Sequence, residues 1–160
     1  MTSPTPEPTQ GPATRPTDAA LGALFDAVAV EHATIYGYGL VSAHSTPDDN
    51  SLVADAMAEH RARREAAIVM LGDAGGAVPL PAVGYSMPSE VDTPAQAAKL
   101  AVRMEEDSAT AWRAVVEQAT DEKVRAFGVA AMLESAVTAA RWRVVVGATP
   151  VAVPFPGGKE

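Results

Sequence analysis

Four long segments of this chain place apolar residues at spacings of three and four, the period of one face of an α-helix. The first segment shows the pattern in Leu21, Leu24, Val28, Ile35 and Tyr38. Only 5% of the 160 residues are aromatic although 48% are hydrophobic, and alanine supplies much of the difference. Alanine favours helix and lets helix axes approach closely. The sequence therefore predicts an all-α fold.

Capping signals mark the ends of these segments and predict helices over residues 18–43, 46–73, 93–119 and 120–147. The pairs Thr46-Pro47 and Thr93-Pro94 each provide an N-cap threonine and a proline at the first helical position. Gln96 completes a capping box for the third helix. Thr120 is the predicted start of the fourth helix, and Gly147 is its predicted end.

The connections between the helices predict how the bundle is wound. Two short connections make the first and last helix pairs antiparallel neighbours. The middle connection has about 18 residues and reaches about 60 Å when extended, whereas a helix of about 26 residues is about 40 Å long. This predicts a ferritin-like four-helix bundle, up-down-down-up, with a long crossover. We expect a disordered Pro/Thr-rich leader over 1–16, the bundle over 17–147, and an extended tail over 148–160 with Phe155 packed inward.

Charge and composition exclude several classes of function. The net charge of −8 argues against binding nucleic acid. Cysteine is absent, which excludes disulfides and thiolate chemistry. The start of the chain lacks a secretory signal, and no apolar run is long enough to span a membrane. We therefore expect a cytoplasmic protein.

Four polar residues interrupt the apolar faces near the midpoints of the four segments: Glu31, His60, Glu105 and Glu134. In a bundle of helices of equal length, these midpoints meet in one layer. Charges buried there need a metal, protons or cationic partners. Ferritin-like di-metal proteins use such a layer, in which two helices each contribute a Glu-x-x-His pair and the ligands suit iron or manganese.

Both Glu-x-x-His pairs are broken in this chain. Met57 stands three residues before His60, and Val137 stands three residues after Glu134. The alternative is a metal-free network in which arginine satisfies the carboxylates. The candidate charge partners are Arg63, Arg64, Arg103 and Arg141, and the candidate hydrogen-bond donors around them are Tyr36 and Tyr38.

Several short motifs resemble one known family. They are EHATIYGYG at 31–39, HRARRE at 60–65, ARWR at 140–143 and ATP at 148–150. With them the chain resembles the alanine-rich, ferritin-like domain of unknown function from actinobacteria, over roughly residues 18 to 156. The resemblance implies a bacterial, ferritin-like bundle and leaves its activity open.

Three functions are compatible with these observations. The first is a non-catalytic structural or interaction module with a degenerate metal site, no cofactor, and self-association, most simply as a dimer. The second is an iron- or manganese-dependent oxidoreductase that uses Glu31, His60, Glu105 and Glu134. The third is a protein that binds a small apolar ligand between its helices, near Trp112 and Tyr38.

Overall fold

The computed structural model describes residues 12–158, so most of the predicted leader lies outside the described residues. Within this range the chain forms four α-helices and one short 3-10 turn, and it contains no strand. The all-α prediction is confirmed. None of these helices is both long and apolar enough to cross a membrane. The elements are α1 (Ala19–His44), the 3-10 turn (Pro47–Asp49), α2 (Asn50–Asp73), α3 (Pro94–Gln118) and α4 (Glu122–Val146).

Two of the predicted helix ends are confirmed. The Thr93 side chain accepts a hydrogen bond from the backbone N–H of Gln96, and the Gln96 side chain accepts one from the N–H of Thr93, which completes the capping box of α3. Gly147 ends α4 with a φ of 71°, a left-handed conformation that glycine adopts without steric cost.

Two other predicted caps are wrong by one to three residues. Thr46 does not cap α2, because its hydroxyl donates to the Asp49 carboxylate at 2.7 Å and Pro47 begins the 3-10 turn instead. In α4 the cap is Asp121 rather than Thr120, since the Asp121 carboxylate accepts hydrogen bonds from the N–H groups of Lys123 and Val124. A carboxylate therefore caps α4, whereas the Asp49 carboxylate accepts from the Thr46 hydroxyl and α2 has no side-chain cap within the described part of the chain.

The core consists of two apolar clusters. One is built around Tyr38 and Trp142, and the other around Trp112 and Leu71. Along each helix the buried polar residues fall between the residues of these clusters: Glu31, His60, Arg63, Glu105, Ser108 and Ser135. The helices therefore hold a polar layer at the middle of an otherwise apolar interior.

The connection between α2 and α3 packs along the length of α1. At its start, Gly76 lies beside Leu21. Farther along, the Pro79 carbonyl oxygen lies 3.2 Å from Nε2 of His32, and Tyr85 packs on Tyr36 with ring centroids 5.3 Å apart. The connection thus covers His32, which is 8% exposed.

The C-terminal segment 148–158 forms bends and turns that lie over α3 and α4. Arg143 donates from Nη1 to the Val151 carbonyl oxygen at 3.3 Å. Gly157 approaches α3 so closely that a Cβ there would lie 2.6 Å from the Ala109 carbonyl oxygen. The prediction that Phe155 packs inward is wrong, because Phe155 is 75% exposed.

Candidate functional site

Glu31 is the acceptor at the centre of the polar layer. Its Oε1 accepts hydrogen bonds from Trp112 Nε1 at 2.6 Å and from Ser108 Oγ at 3.2 Å. Arg63 approaches the same oxygen at 3.3 Å. Burial raises the pKa of Glu31, but the hydrogen bond and charge of His60, with Arg63 and Trp112, outweigh it and lower the pKa. Glu31 is therefore a buried carboxylate anion.

His60 bridges two carboxylates. Its Nδ1 lies 2.6 Å from Glu31 Oε2, and its Nε2 lies 3.0 Å from Glu105 Oε1. Burial lowers the pKa of His60, but the hydrogen bonds and charges of Glu105 and Glu31 outweigh it and raise the pKa to about 9. Both ring nitrogens therefore carry protons at neutral pH, and His60 is an imidazolium ion.

Tyr38 and Trp142 extend the network towards one end of the bundle. The Tyr38 hydroxyl donates to Glu105 Oε1 at 2.5 Å and accepts from Trp142 Nε1 at 2.9 Å. Burial, together with the charge and hydrogen bond of Glu105, raises the pKa of Tyr38. Tyr38 therefore remains a neutral hydroxyl that donates to the carboxylate.

Arg63 connects the buried layer to the surface. Its Nη1 donates to Ser135 Oγ at 2.8 Å, and its Nη2 donates to Glu134 Oε2 at 3.0 Å. Arg63 and His60 supply two positive charges against the buried carboxylates of Glu31 and Glu105. The four buried charges balance within the layer.

Three of the four residues predicted for the layer are buried together, and Glu134 is not. Its side chain is 56% exposed and reaches the layer only through Arg63. The inner face predicted for α4 contained Phe127, Ala131 and Val137, and it is wrong at Val137, which is exposed. The residues that point inward are Gly128, Ala131, Ser135, Thr138, Ala139 and Trp142. Ser135 takes the buried position, one residue away from Glu134.

Only one predicted arginine and one predicted tyrosine belong to the layer. Arg64 pairs with Glu65, and Arg103 pairs with Asp107 in an exposed ion pair. Arg141 lies on the surface of α4, and Tyr36 is 49% exposed against Tyr85. Arg63 and Tyr38 are the two that contact the buried carboxylates.

The prediction omitted four residues that complete the network: Ser108, Trp112, Ser135 and Trp142. Ser108 and Trp112 share a face of α3 with Glu105 at a spacing of three and seven, which could have indicated their role. Ser135 and Trp142 have the same spacing of seven on α4. Buried tryptophan N–H groups need acceptors, and here carboxylate and phenol oxygens provide them.

The ligands available for a metal are few in this arrangement. Among residues 12–158, no group of three or more His, Cys, Asp or Glu side chains is placed to hold an ion. Two buried polar atoms in the same range have no hydrogen-bond partner, Arg63 Nε and Glu105 Oε2. The layer can hold protons on His60 and Tyr38 between fixed acceptors.

The space between Trp112 and Tyr38, the predicted position of an apolar ligand, is filled by protein. Both rings are completely buried. Trp112 packs edge-on against Phe127 at 5.3 Å between centroids, and Tyr38 packs on His60 at 5.6 Å. Three cavities of the described chain are lined by other residues.

Residues 23–160 match the family model described as Domain of unknown function (DUF4439). The chain belongs to this family. The DUF4439 chain is also similar to the crystal structure of a conserved hypothetical protein, rv2844, from Mycobacterium tuberculosis. The two share 56% sequence identity and a TM-score of 0.79, over 81% of the DUF4439 chain and 98% of the mycobacterial one. No curated protein matches the chain in sequence.

Proposed function

We propose that this protein is a ferritin-like bundle that acts as a non-catalytic structural and interaction module and self-associates as a dimer. In this proposal a network of protein charges occupies the level of the bundle at which ferritin-like proteins hold metal. The observation that carries it is the position of His60, whose two ring nitrogens lie 2.6 Å and 3.0 Å from oxygens of two buried carboxylates.

Contacts between helices support the ferritin-like connection. Glu31 of α1 forms a hydrogen bond with Trp112 of α3, and Tyr38, about two turns later in α1, forms one with Glu105, about two turns earlier in α3. This order favours opposite directions for α1 and α3. Trp112 packs on Phe127, which places the end of α3 beside the start of α4. The α2–α3 connection runs along α1, as a long crossover does.

The charges of the layer support the metal-free interpretation. A metal ligand must offer a lone pair, and the imidazolium form of His60 offers none. The Arg63 guanidinium already donates to Glu31 and Glu134, so these two carboxylates have a cationic partner. The residues as arranged do not fit a di-metal centre.

Metal analysis tests the non-catalytic part of this proposal. Protein purified without chelator is expected to carry far less than one iron or manganese ion per chain by elemental mass spectrometry. The reason is that both ring nitrogens of His60, the atoms that would bind the metal, carry protons. Chelator should leave its thermal midpoint unchanged. Glu31→Gln and Glu105→Gln variants serve as ligand knockouts, with Glu117→Gln on the surface as the matched control. Stoichiometric metal that is lost in both knockouts and kept in the control would favour the oxidoreductase.

An exposed apolar face on α4 supports self-association. Its large residues are Val129, Leu133, Val137 and Val144, and Leu133 and Val137 are 50% and 53% exposed. Beside this face lies an open groove between α2 and α4, lined in part by Ala62 and Ala130. Alanine lets another helix approach closely, and exposed apolar patches of this kind mark interaction sites.

The charges beside the groove suit a second copy of the same chain. Glu59 lines this groove, and Glu59 and Arg141 together line a second cavity that includes Leu133 and Val137 of the exposed face. Neither Glu59 nor Arg141 forms an ion pair within residues 12–158. A two-fold axis brings residue i of one copy to residue j of the other and j to i. A surface with both signs of charge can therefore pair with a second copy of itself. Glu59 of each copy then lies against Arg141 of the other, which gives two ion pairs.

The Leu133→Glu variant tests the dimer. Placing a carboxylate in an apolar interface is expected to weaken dimerisation about 100-fold. Sedimentation equilibrium should then give a dimer for the wild type and a monomer for the variant at the same concentration. Leu80→Glu, at an exposed position of the α2–α3 connection, is the matched control and should remain dimeric. A wild-type protein that is monomeric at every concentration would refute self-association.

A further inference from the structure

A cavity lies under the C-terminal segment, separate from the α2–α4 groove. Its volume is about 310 Å³, which is at the small end of the range for ligand-binding pockets. Helices α3 and α4 form its floor, and Val153, Phe155 and Pro156 of the C-terminal segment cover it. Ala136 and Ala139 make part of its wall apolar.

Glu105 links this cavity to the polar layer. It lines the cavity, and it is 1% exposed. Its Oε1 accepts from Tyr38 and approaches His60, but its Oε2 is buried without a hydrogen-bond donor among the described residues. An unsatisfied carboxylate oxygen is costly in the interior, so a donor is expected in the adjoining space.

The charges around the cavity indicate the kind of donor. Its walls include three carboxylates, Glu105, Glu106 and Asp107, and one guanidinium, Arg143. Arg143 pairs with Glu106, and Asp107 pairs with Arg103 at 3.5 Å. Glu105 Oε2 is left as the buried acceptor of the cavity wall without a donor from residues 12–158, and a carboxylate oxygen accepts its strongest hydrogen bonds from charged N–H groups.

The ligand chemistry favours an organic cation over a metal ion. A hard metal ion needs several oxygen ligands, and no suitable group of three acidic or histidine side chains exists among residues 12–158. An alkylammonium ion needs one strong acceptor for its N–H groups and apolar walls for its carbon atoms. The cavity provides both, Glu105 for the ammonium and the alanine, valine and proline side chains for the carbons.

We propose that the cavity under the C-terminal segment binds a small organic ammonium ion, whose N–H group donates to Glu105 Oε2. The hydrocarbon part of the ligand lies against Ala136, Ala139 and Val153. This site does not depend on self-association, because none of these residues lies on the exposed face of α4 or in the α2–α4 groove.

Titration calorimetry with n-butylammonium tests the proposal, and n-butanol is the neutral probe of the same shape. Saturable binding of the ammonium ion is expected, with butanol at least about tenfold weaker, since a charge-assisted hydrogen bond is lost. Glu105→Gln should weaken butylammonium by about tenfold or more for the same reason. Equal binding of the two probes, or no saturable binding of butylammonium, would overturn the proposal.

A second variant separates ligand binding from the stability of the network. Ala136→Leu fills the cavity and leaves the Glu105 side chain in place, and it is expected to abolish butylammonium binding while circular dichroism shows a folded bundle. Ala54→Leu, an exposed alanine on α2, is the matched control and should bind as the wild type does. If Ala136→Leu binds butylammonium as tightly as the wild type, the ligand is not in this cavity and the proposal fails.

Discussion

The Glu31→Ala variant is expected to lose about 3–5 kcal/mol of unfolding free energy, because it leaves buried cations without their partner. Glu31 accepts from four groups, on His60, Arg63, Ser108 and Trp112. Removing it leaves the imidazolium and the guanidinium facing each other and an indole N–H unsatisfied. Urea denaturation monitored by circular dichroism measures the loss.

Two further variants show whether this loss comes from the network. Glu117→Ala breaks an exposed ion pair with Arg113 on α3 and is expected to cost less than about 1 kcal/mol. Glu31→Gln keeps the size of the side chain and one carbonyl acceptor. Its loss of unfolding free energy should therefore lie between those of Glu31→Ala and Glu117→Ala. If Glu31→Ala is no more destabilising than Glu117→Ala, the layer does not hold ionised partners as described.

The stability of the protein is expected to fall by about 3 kcal/mol as the pH rises from 6.5 to 9. The pKa of His60 is raised in the folded protein from its ordinary value of 6.5 to about 9. Below pH 6.5 the histidine is protonated in both states, so the ion pairs contribute fully. Above pH 6.5 the histidine of the unfolded chain loses its proton first. The stabilisation by the ion pairs is gone once His60 of the folded protein loses its proton near pH 9.

The His60→Gln variant isolates this effect, since glutamine does not titrate. Urea midpoints of the variant should be nearly constant over the same range, although the protein is less stable overall. His32 does not produce the fall, because burial lowers its pKa and its contribution is lost only as the pH drops below the ordinary value. Glu31, whose pKa is lowered, likewise loses its contribution only in acid. A wild-type slope that persists in His60→Gln would contradict the assignment of the charge to His60.

Local signals in the sequence predicted the helices well. The Thr93–Gln96 capping box and the Gly147 end are set by side chains within a few residues, so they do not depend on the rest of the fold. The cap at Thr120 was wrong because the Asp121 carboxylate accepts from the first N–H groups of α4. The cap at Thr46 was wrong because the Thr46 hydroxyl donates to the Asp49 carboxylate and a 3-10 turn precedes α2. Such competition depends on small differences in backbone geometry, which spacing does not reveal.

The buried layer was predicted where one helix face is clearly apolar and missed where two faces compete. Glu31, His60 and Glu105 each interrupt a single apolar face, and all three are buried. In α4 the prediction grouped Glu134 with Phe127, Ala131 and Val137, but Val137 is 53% exposed, so this pattern did not follow the buried face. Neighbouring residues on an α-helix point about 100° apart, so the buried position falls on Ser135 and the carboxylate of Glu134 lies at the surface.

The sequence by itself determined the helices, most of their ends and three of the charges that meet inside. Periodicity and capping act over one or two turns, and a single chain segment contains all the information they need. Only the tertiary structure decided which arginine balances those charges, that Ser135 replaces Glu134, and that Glu105 borders a cavity. These depend on how four helices rotate against one another, and that rotation is set by the packing of all of them together.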